Sequence, residues 1–338
     1  MELQYAENFA VDYYEDGYKM LTTLPDSKRY LIVPEGQPVP RGLDEDVSIL
    51  QEPLQNIYLV ASGVMDMFAS VDAVDQIRFS GQKQENWYIQ TAKDAMAAGD
   101  MIYAGKYSKP DYELLVSEGC DLAIENRMIT HSPEVVEMLQ SFGIPVMIEY
   151  SSYEQHPLGK VEWVKFFGAL TGKEAEAEEA FAEQTEILEK VERGEKTGKT
   201  IAFFYVTSNG LIQVRQSTDY IPKLIELAGG RYIFEDLEDS GSGRSTLNMQ
   251  VEDFYAGAKD ADILIYNSSI DGGVTTLDEL IGKCNILKDF KAVQEGQVYC
   301  TTNDMYQQSM AIGYLLQDMH TVLTDDDTAK LRYLFLLQ

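Results

Sequence analysis

Hydrophobic and polar residues follow one pattern near the amino terminus and another beyond residue 57. The β-like stretches Tyr18–Leu24 and Lys28–Val33 are joined by Pro25-Asp26-Ser27, and this order predicts a hairpin. From Ile57 onward, short apolar runs alternate with segments of helical periodicity, which is typical of βαβ units around a parallel sheet. The pattern therefore predicts an α/β protein that begins with a hairpin.

The alternation assigns strands and helices to both halves of the chain. Predicted strands lie at Ile57–Ala61, Asp121–Glu125, Val146–Glu149, Thr200–Val206, Asp262–Tyr266 and Gln297–Thr301. Predicted helices lie near Trp87–Ala98, Asp111–Ser117, Pro133–Phe142, Leu158–Leu170, Asp219–Ala228, Val251–Ala258 and Gln307–Val322. A polar loop, Asp239–Arg244, interrupts the second half.

A long acidic helix is predicted at Glu174–Glu192, between the two halves. Its apolar stripe is narrow, and acidic residues cover the rest; the stripe consists of Ala177, Phe181, Leu188 and Val191. At 1.5 Å per residue such a helix reaches about 28 Å, enough to join two domains. We therefore predict two Rossmann-like α/β lobes with central parallel sheets, at 1–172 and 194–338, joined by a single helix at 173–193.

Composition narrows the classes of partner. The 338 residues include 27 Lys and Arg against 56 Asp and Glu, which gives a net charge of −29. A nucleic-acid backbone must be neutralised by basic residues, so this charge argues against DNA or RNA as a partner. It also disfavours adsorption to anionic lipid. With 45% hydrophobic residues the chain can still build a sizeable core.

Three widely spaced cysteines, Cys120, Cys284 and Cys300, form no C-x-x-C pair, and we expect all three to be buried apolar residues. No run approaches about 18 apolar residues, so we expect no transmembrane helix. The first residues lack the basic and apolar regions of a signal peptide. These features are compatible with a cytoplasmic protein or with a mature form whose leader is absent.

One local pattern occurs in both halves. A Glu lies in the first turn of a short helix, and an Asp then leads into an apolar strand: Glu113 with Asp121, and Glu252 with Asp262. Acidic residues in a first turn are favourable to the helix dipole by themselves. Their recurrence in equivalent places indicates a surface feature with two points.

Four segments resemble the helical-backbone (class III) substrate-binding proteins of ABC importers, which carry iron–siderophore complexes, haem and cobalamin. In chain order they are Pro53-Leu-Gln-Asn-Ile-Tyr-Leu-Val-Ala-Ser62, Pro110-Asp-Tyr-Glu-Leu-Leu115 with Cys120-Asp-Leu-Ala-Ile124, Phe166-Phe-Gly-Ala-Leu-Thr-Gly-Lys-Glu-Ala-Glu-Ala177, and Leu224-Ile-Glu-Leu-Ala-Gly-Gly230. The resemblance extends from about Val47 to nearly the end of the chain. The loop Asp239–Arg244 and the amino-terminal hairpin depart from it.

The resemblance implies a non-enzymatic, monomeric solute-binding component with no cofactor of its own. In such proteins one Glu per lobe pairs with Arg residues of the permease dimer, and the matching positions here are Glu113 and Glu252. It also implies an extracytoplasmic location, periplasmic or as a membrane-anchored lipoprotein. Two exposed carboxylates on rigid helix starts suit bidentate recognition by Arg.

The ligand is expected between the lobes, at the carboxyl ends of the parallel strands. Arg127 and Arg215 could hold an anionic chelate, although each could instead pair with an acid. Trp87 or Tyr88 could stack on a flat ligand, whereas Trp163 is expected in the core. The candidate ligand-binding residues are Ser62, Trp87, Tyr88, Arg127, Tyr150, Arg215, Tyr220 and Tyr306, and further positions after strands are Asn209, Ser268, Ser269 and Gln307.

Two other functions stay open. A bare transition metal would need several converging ligands, and the chain has only His131, His156 and His320 among its histidines. His131 and His156 could also contact a chelate or cap a loop. An enzyme on a similar scaffold, such as a chelatase or a metal-cluster oxidoreductase subunit, would need a catalytic His with acids or a set of Cys ligands. Neither a dinucleotide fingerprint nor a phosphate-binding P-loop is present.

Overall fold

The computed structural model of the protein describes residues 1–238, 245–268, 273–326 and 328–338. The loop Asp239–Arg244 and Ser269 lie outside the described residues. The chain divides into two compact units. The first unit comprises Met1–Glu154, Leu158–Ala182 and Gln307–Met310, and the second comprises Gln155–Pro157, Glu183–Tyr306 and Ala311–Gln338. The domain boundaries 1–172, 173–193 and 194–338 stay a prediction.

The first unit opens with a small sheet. Its strands are β1 (Phe9–Tyr13), β2 (Lys19–Thr23), β3 (Lys28–Val33) and β4 (Val47–Gln51), paired in that order. The β2–β3 hairpin is the one that the sequence predicts, and its antiparallel register pairs Thr23 with Lys28. The flanking strands β1 and β4 were not predicted. The phenol of Tyr30 on β3 donates to the carbonyl of Val146, 2.8 Å away.

The remainder of the first unit is an α/β layer structure. Its elements are β5 (Ile57–Leu59), α1 (Val64–Ser70), β6 (Ile77–Ser80), α2 (Gln90–Ala98), β7 (Ile102–Tyr103), β8 (Gly105–Lys106), β9 (Lys109–Pro110), α3 (Tyr112–Ser117), β10 (Leu122–Asn126), α4 (Pro133–Ser141), β11 (Val146–Glu149) and α5 (Pro157–Thr171). Helix α6 (Glu174–Glu192) begins in the first unit, and its residues from Glu183 onward belong to the second. The central sheet has the order β11-β10-β5-β6-β7, and all its pairs are parallel. The predicted parallel sheet is confirmed here.

The second unit is built around a mixed sheet. Its elements are β12 (Thr200–Val206), β13 (Ile212–Arg215), α7 (Tyr220–Leu227), β14 (Arg231–Tyr232), β15 (Thr246–Met249), α8 (Val251–Ala258), β16 (Ile263–Tyr266), α9 (Leu277–Lys283), α10 (Lys291–Gln294), β17 (Val298–Thr301), α11 (Ile312–Thr324) and β18 (Leu334–Leu336). The described strands have the order β15-β13-β12-β16-β17-β18, with β14 beside β12.

The predicted central parallel strands are confirmed in the second unit, and antiparallel strands flank them on both sides. β12, β16 and β17 are parallel, as predicted, whereas β13 and β15 on one side and β18 on the other are antiparallel. The physical reason is the short connection from β12 to β13, residues 207–211, because a parallel pair needs a crossover of a dozen residues or more.

The acidic helix α6 begins and ends where the sequence predicts. Ala177, Phe181, Leu188 and Val191 are all buried, which confirms the apolar stripe. A Cβ atom on Gly168 of α5 would lie 2.5 Å from the Cβ of Ala177, so a glycine is needed where the two helices approach. Lys19 contacts both helices: its ammonium donates to the carbonyl of Ala169 on α5 at 2.9 Å and lies 2.8 Å from Glu174 on α6.

The first eight residues are held by two buried carboxylates. Glu162 on α5 accepts hydrogen bonds from the backbone N–H groups of Gln4, Tyr5 and Ala6, at 2.8 to 2.9 Å for the shortest bond of each. Glu154 accepts those of Glu7 and Asn8 at 2.9 and 3.0 Å. Each carboxylate thus provides the hydrogen-bond partner that these backbone N–H groups, which lie outside helices and sheets, would otherwise lack.

The start of the last long helix differs from the prediction. Helix α11 begins at Ile312 instead of Gln307, and residues 307–310 belong to the first unit. There the Ser309 hydroxyl donates to the carbonyl of Gly63 at 2.5 Å, and the Met310 N–H donates to Asp66 at 2.7 Å. These contacts are made by a 3-10 turn, Ser309–Ala311, which directly precedes α11. Within the described residues, no helix has the length and apolar character needed to cross a membrane.

Candidate functional site

The carboxyl ends of β10 and β11 place two predicted residues side by side in the first unit. Asn126 and Glu149 are partners in the parallel register, so Arg127 and Tyr150 follow neighbouring strands at the same edge. The guanidinium of Arg127 lies 4.4 Å from the centre of the Tyr153 ring, a cation–π contact. This edge of a parallel sheet is where open α/β folds bind ligands.

Four large side chains at the same edge are exposed to solvent. They are Tyr88 (46% exposed), Tyr103 (41%), Met128 (50%) and Tyr153 (38%), and we call them the aromatic edge. Tyr103 ends β7, whereas Met128 and Tyr153 lie within four residues of the ends of β10 and β11. Sequence reasoning missed Tyr103 and Met128. The available signal was their position at or just after a short apolar run.

Two of the predicted ligand contacts are buried instead. Trp87 is 1% exposed, and its indole N–H donates to the Ser80 hydroxyl at 3.0 Å, so stacking of a ligand on Trp87 was wrong. Tyr150 is also buried, and burial raises the pKa of its phenol, with the carboxylate of Asp26 adding to the effect. Ser62 is half-buried in the turn after β5. Trp163 lies in the core, as expected.

Gln307 fixes the backbone around Tyr88. Its side-chain oxygen accepts the Tyr88 N–H at 2.8 Å, and its side-chain amide donates to the carbonyl of Asn86 at 2.8 Å. These bonds lie within the first unit. They orient the loop after β6 so that the Tyr88 ring remains exposed while Trp87 enters the core.

In the second unit, Arg215 ends β13 and is buried. Its guanidinium lies 3.3 Å from the Asp219 carboxylate and donates to the phenol oxygen of Tyr306. Of the two roles that the sequence left open, pairing with an acid is the one observed, although the acid is buried and not on the surface. Asp219 also caps α7 by accepting the Ile221 N–H at 2.9 Å.

The neighbours of Arg215 form one polar cluster around the last residue of β13 and Asn267, the first residue after β16. The Asn267 side-chain amide donates to the phenol oxygen of Tyr306 at 2.6 Å, and the side-chain oxygen of Asn267 is buried with no hydrogen-bond partner among the described residues. Tyr220 is buried, and burial raises the pKa of its phenol. Ser268 is buried and bonded to Thr301 and Asn303. Asn209 lies in an exposed turn.

The described residues contain no group of three or more His, Cys, Asp or Glu side chains that could hold a metal ion. His131 is exposed, and His156 is half-buried, with its pKa lowered by burial and then by Lys223. The Nδ1 atom of His320 lies 2.9 Å from the carbonyl of Ala228. Cys284 and Cys300 are buried as expected, whereas Cys120 is partly exposed. Cys120 follows α3 in a turn, where its neighbours cover it incompletely.

The repeated acidic pattern has a structural basis in both units. Asp121 precedes β10 and accepts the N–H groups of Gln55 and Asn56 just before the neighbouring β5. Asp262 precedes β16 and accepts the N–H of Thr200, which begins the neighbouring β12. Each Asp thus binds the backbone at the start of the neighbouring strand in its own unit. Glu113 lies in the first turn of the helix before Asp121, and Glu252 in the first turn of the helix before Asp262, so the two Glu positions are equivalent. Both are exposed.

Known proteins resemble this chain in sequence and in fold. No family model matches the chain. An uncharacterised lipoprotein of Methanocaldococcus jannaschii is 24% identical over 351 residues, covering 95% of this chain and 81% of that protein.

Solved structures share the fold. A possible iron-binding, periplasmic solute-binding protein from Staphylococcus epidermidis superposes with a TM-score of 0.61 at 17% identity, over 80% of this chain and 98% of that one. A periplasmic haem-binding protein of Vibrio cholerae gives 0.62 at 15% identity, over 79% and 98%. The chain therefore has the fold of the class III periplasmic solute-binding proteins, as the sequence resemblance implies.

Proposed function

We propose that the protein is the solute-binding component of an ABC importer. It captures an iron–siderophore or a related metal chelate, such as haem or cobalamin, and delivers it to the permease. The observation that carries the proposal is the shared fold, which extends over nearly all of the solved solute-binding proteins and about four fifths of this chain. The solvent-exposed aromatic edge at the carboxyl ends of the strands supports a binding role.

Each unit by itself offers candidate contacts of a different chemistry. On the first, we assign contacts to Tyr88, Arg127 and the turn at Ser62. On the second, Tyr306 and Asn267 present polar groups, while the buried Arg215 and Tyr220 support them. Tyr150, which is buried, positions the loop that carries Tyr153. A binding role asks only for such contacts, so we assign no catalytic residue and propose no enzymatic activity.

The partner of the loaded protein is a permease dimer, with Glu113 and Glu252 as docking residues. The support is their equivalent, exposed placement in first turns of α3 and α8. The curated relative's name as a lipoprotein supports an extracytoplasmic location, periplasmic or membrane-anchored. The proposed unit of function is a monomer, and the net charge of −29 argues against nucleic acid as a partner.

Thermal unfolding with a panel of solutes tests the proposal. A solute held at a hundred times its dissociation constant stabilises the folded state by about 2.7 kcal/mol. We expect a rise in Tm with at least one of ferric siderophores, hemin and cyanocobalamin, and none with Zn²⁺ or Mn²⁺ salts. The variant Tyr88→Ser should reduce the rise, while Tyr13→Ser, at a similarly exposed tyrosine on β1, should not. A panel that leaves Tm unchanged throughout would contradict the function.

A further inference from the structure

Exposed apolar side chains are distributed unevenly between the units. In the part of the chain that the structure describes, the large apolar side chains exposed to solvent all belong to the first unit. Outside the small sheet they form two groups: the aromatic edge, and a set on α3 and α4 made of Val116, Met138 and Phe142. Three phenol rings and a thioether are exposed to water here, and burying them would release free energy. An exposed apolar surface of this kind is typical of a binding site.

The strongest combination lies at the ends of β10 and β11. Met128 follows β10 and is half-exposed, and Tyr153 follows β11 and supports the Arg127 guanidinium at 4.4 Å. A thioether, a phenol ring and a planar cation thus share one surface. Such a surface favours a conjugated ring, which stacks on aromatic and guanidinium planes and contacts sulfur at its edge.

Charge restricts the ligand further. Arg127 brings a cation to this part of the edge, and Lys93 lies 5.9 Å from the centre of the Tyr88 ring. Arg215 in the second unit is buried against Asp219. With a net charge of −29 around so few cations, a chelate with three negative charges would be repelled. A neutral, strongly hydrated chelate would have to give up water from its polar groups and place them against phenol rings and sulfur, which costs free energy.

We propose that the aromatic edge binds a flat conjugated macrocycle with one or two carboxylates, a tetrapyrrole, with its ring against Met128 and Tyr153 and a carboxylate on Arg127. This inference rests on the proposed function and specifies the ligand class of the same site. Since the ring is what these residues contact, recognition does not depend on the metal at its centre. The ligand is distinguished from hydrophilic iron chelates by shape and charge.

The experiment compares four purified probes: hemin, metal-free protoporphyrin, a neutral ferric trihydroxamate, and a ferric tricatecholate carrying three negative charges. Binding is followed by the absorbance of the porphyrins and by equilibrium dialysis for the other two. We expect saturable binding of both porphyrins, and affinities at least about 100-fold weaker for the hydrophilic chelates, as expected when two or more favourable contacts are lost.

Variants locate the surface. Met128→Ser, Tyr153→Ser and Arg127→Gln should each weaken porphyrin binding about ten-fold, the effect of one stacking or cation–π contact. Tyr153→Phe keeps the ring and should weaken porphyrin binding less than Tyr153→Ser does. Met138→Ser and Phe142→Ser remove similarly exposed side chains on α4 and at its end, and should leave porphyrin affinity unchanged.

The outcomes separate this inference from the proposed function. Preferential binding of a hydrophilic chelate would overturn the tetrapyrrole class and leave the transport function standing. If no probe binds, both fail. If the Met138→Ser and Phe142→Ser variants lose as much porphyrin affinity as the Met128→Ser and Tyr153→Ser variants, or if none of the edge variants loses any, the aromatic edge is not the binding surface. Hemin bound without protoporphyrin would overturn recognition through the ring.

Discussion

Glu125 lies on β10 with both carboxyl oxygens buried and without a hydrogen-bond partner among the described residues. Its side chain shares a face of the strand with Ala123, which packs with Tyr58 in the core of the first unit. Burial raises the pKa of this carboxyl to about 8. The carboxyl group of Glu125 is therefore protonated and neutral in the folded protein at and below neutral pH.

This carboxyl makes stability depend on pH. Between its unfolded pKa near 4.5 and about 8, the folded chain keeps a proton that the unfolded chain releases, so stability is complete below that window and falls as pH rises through it. Glu125→Gln removes the ionisation. We expect the variant to gain stability over the wild type as pH rises from 5 to 8, by an amount of the order of a few kcal/mol.

Urea unfolding of both proteins at pH 5, 6.5, 8 and 9 measures the difference. Glu137→Gln on the exposed surface of α4 is the matched control, and its offset from the wild type should not change with pH. Parallel pH curves for Glu125→Gln and the wild type would show that Glu125 is ionised in the folded protein.

Residue types alone indicated which arginines and aromatics were of interest, and burial decided between their roles. Trp87 and Tyr88 are adjacent in sequence, yet one enters the core and the other remains exposed, because the Ser80 hydroxyl accepts the indole N–H and Gln307 holds the Tyr88 backbone. The bond from Gln307 spans 219 positions of the chain. No local pattern contains that information.

At the scale of elements, periodicity sufficed for the longest segments, whereas β1, β4, α1 and α9 were not predicted. The bounds of α6 and β12 agree with the predicted ranges, and the β2–β3 hairpin follows from its turn residues. Short elements were missed: β7 and β14 have two residues each, too few for an alternation to appear. The antiparallel edges of the second sheet depend on connection length more than on strand composition.

The clamp on the amino-terminal segment could not be predicted from the helix that provides it. Glu162 lies in an otherwise apolar stretch of α5, and its backbone partners are 156 to 158 positions away. It is fully buried, 3.6 Å from Lys165. A carboxylate there is retained because it accepts several N–H groups at once.

Glu162→Gln should release this segment. The amide replaces one acceptor oxygen by a donor that faces other donors, so at least one buried N–H loses its partner, at a cost of about 2–3 kcal/mol. We expect a lower free energy of unfolding and faster hydrogen exchange at the amides of Tyr5 and Ala6. The control Glu189→Gln breaks an exposed pair with Arg193 on α6 and should cost less than about 0.5 kcal/mol. Unchanged exchange rates at both amides would contradict the clamp.

At the scale of the whole molecule, the duplicated pattern was the most informative feature of the sequence. It identified equivalent positions in the two units before either sheet was known, because the same order of helix, Asp and strand occurs in both halves of the sequence. The ligand was harder to specify. The proposed contacts lie near the ends of strands that are distant in sequence, and only packing shows which side chains at those ends reach solvent.

Docking by Glu113 and Glu252 predicts a separation of binding from delivery. The double variant Glu113→Ala with Glu252→Ala should retain the wild-type affinity for the solute, since both residues are exposed and neither is an assigned ligand contact. Uptake into vesicles that carry the cognate permease should fall at least about ten-fold, as expected for the loss of charge-assisted bonds to arginine.

The matched control changes two other exposed first-turn acids, Glu134→Ala on α4 and Asp278→Ala on α9, and should transport normally. A large loss of solute affinity in the Glu113 and Glu252 variant would refute the docking assignment. Equal loss of transport in the control would show that net charge matters more than position.

The clamped amino-terminal segment also determines how the molecule responds to tension. Five consecutive residues, Gln4 to Asn8, each donate a backbone hydrogen bond to one of two carboxylates, and the amine of Met1 donates to the carbonyl of Val11 at 2.6 Å. A force applied to the segment ahead of β1 therefore loads these bonds to Glu154 and to Glu162 on α5, as well as the bond to Val11 on β1. A pull on the first residues is thus resisted by the first unit as a body, and its strands do not have to unzip one at a time.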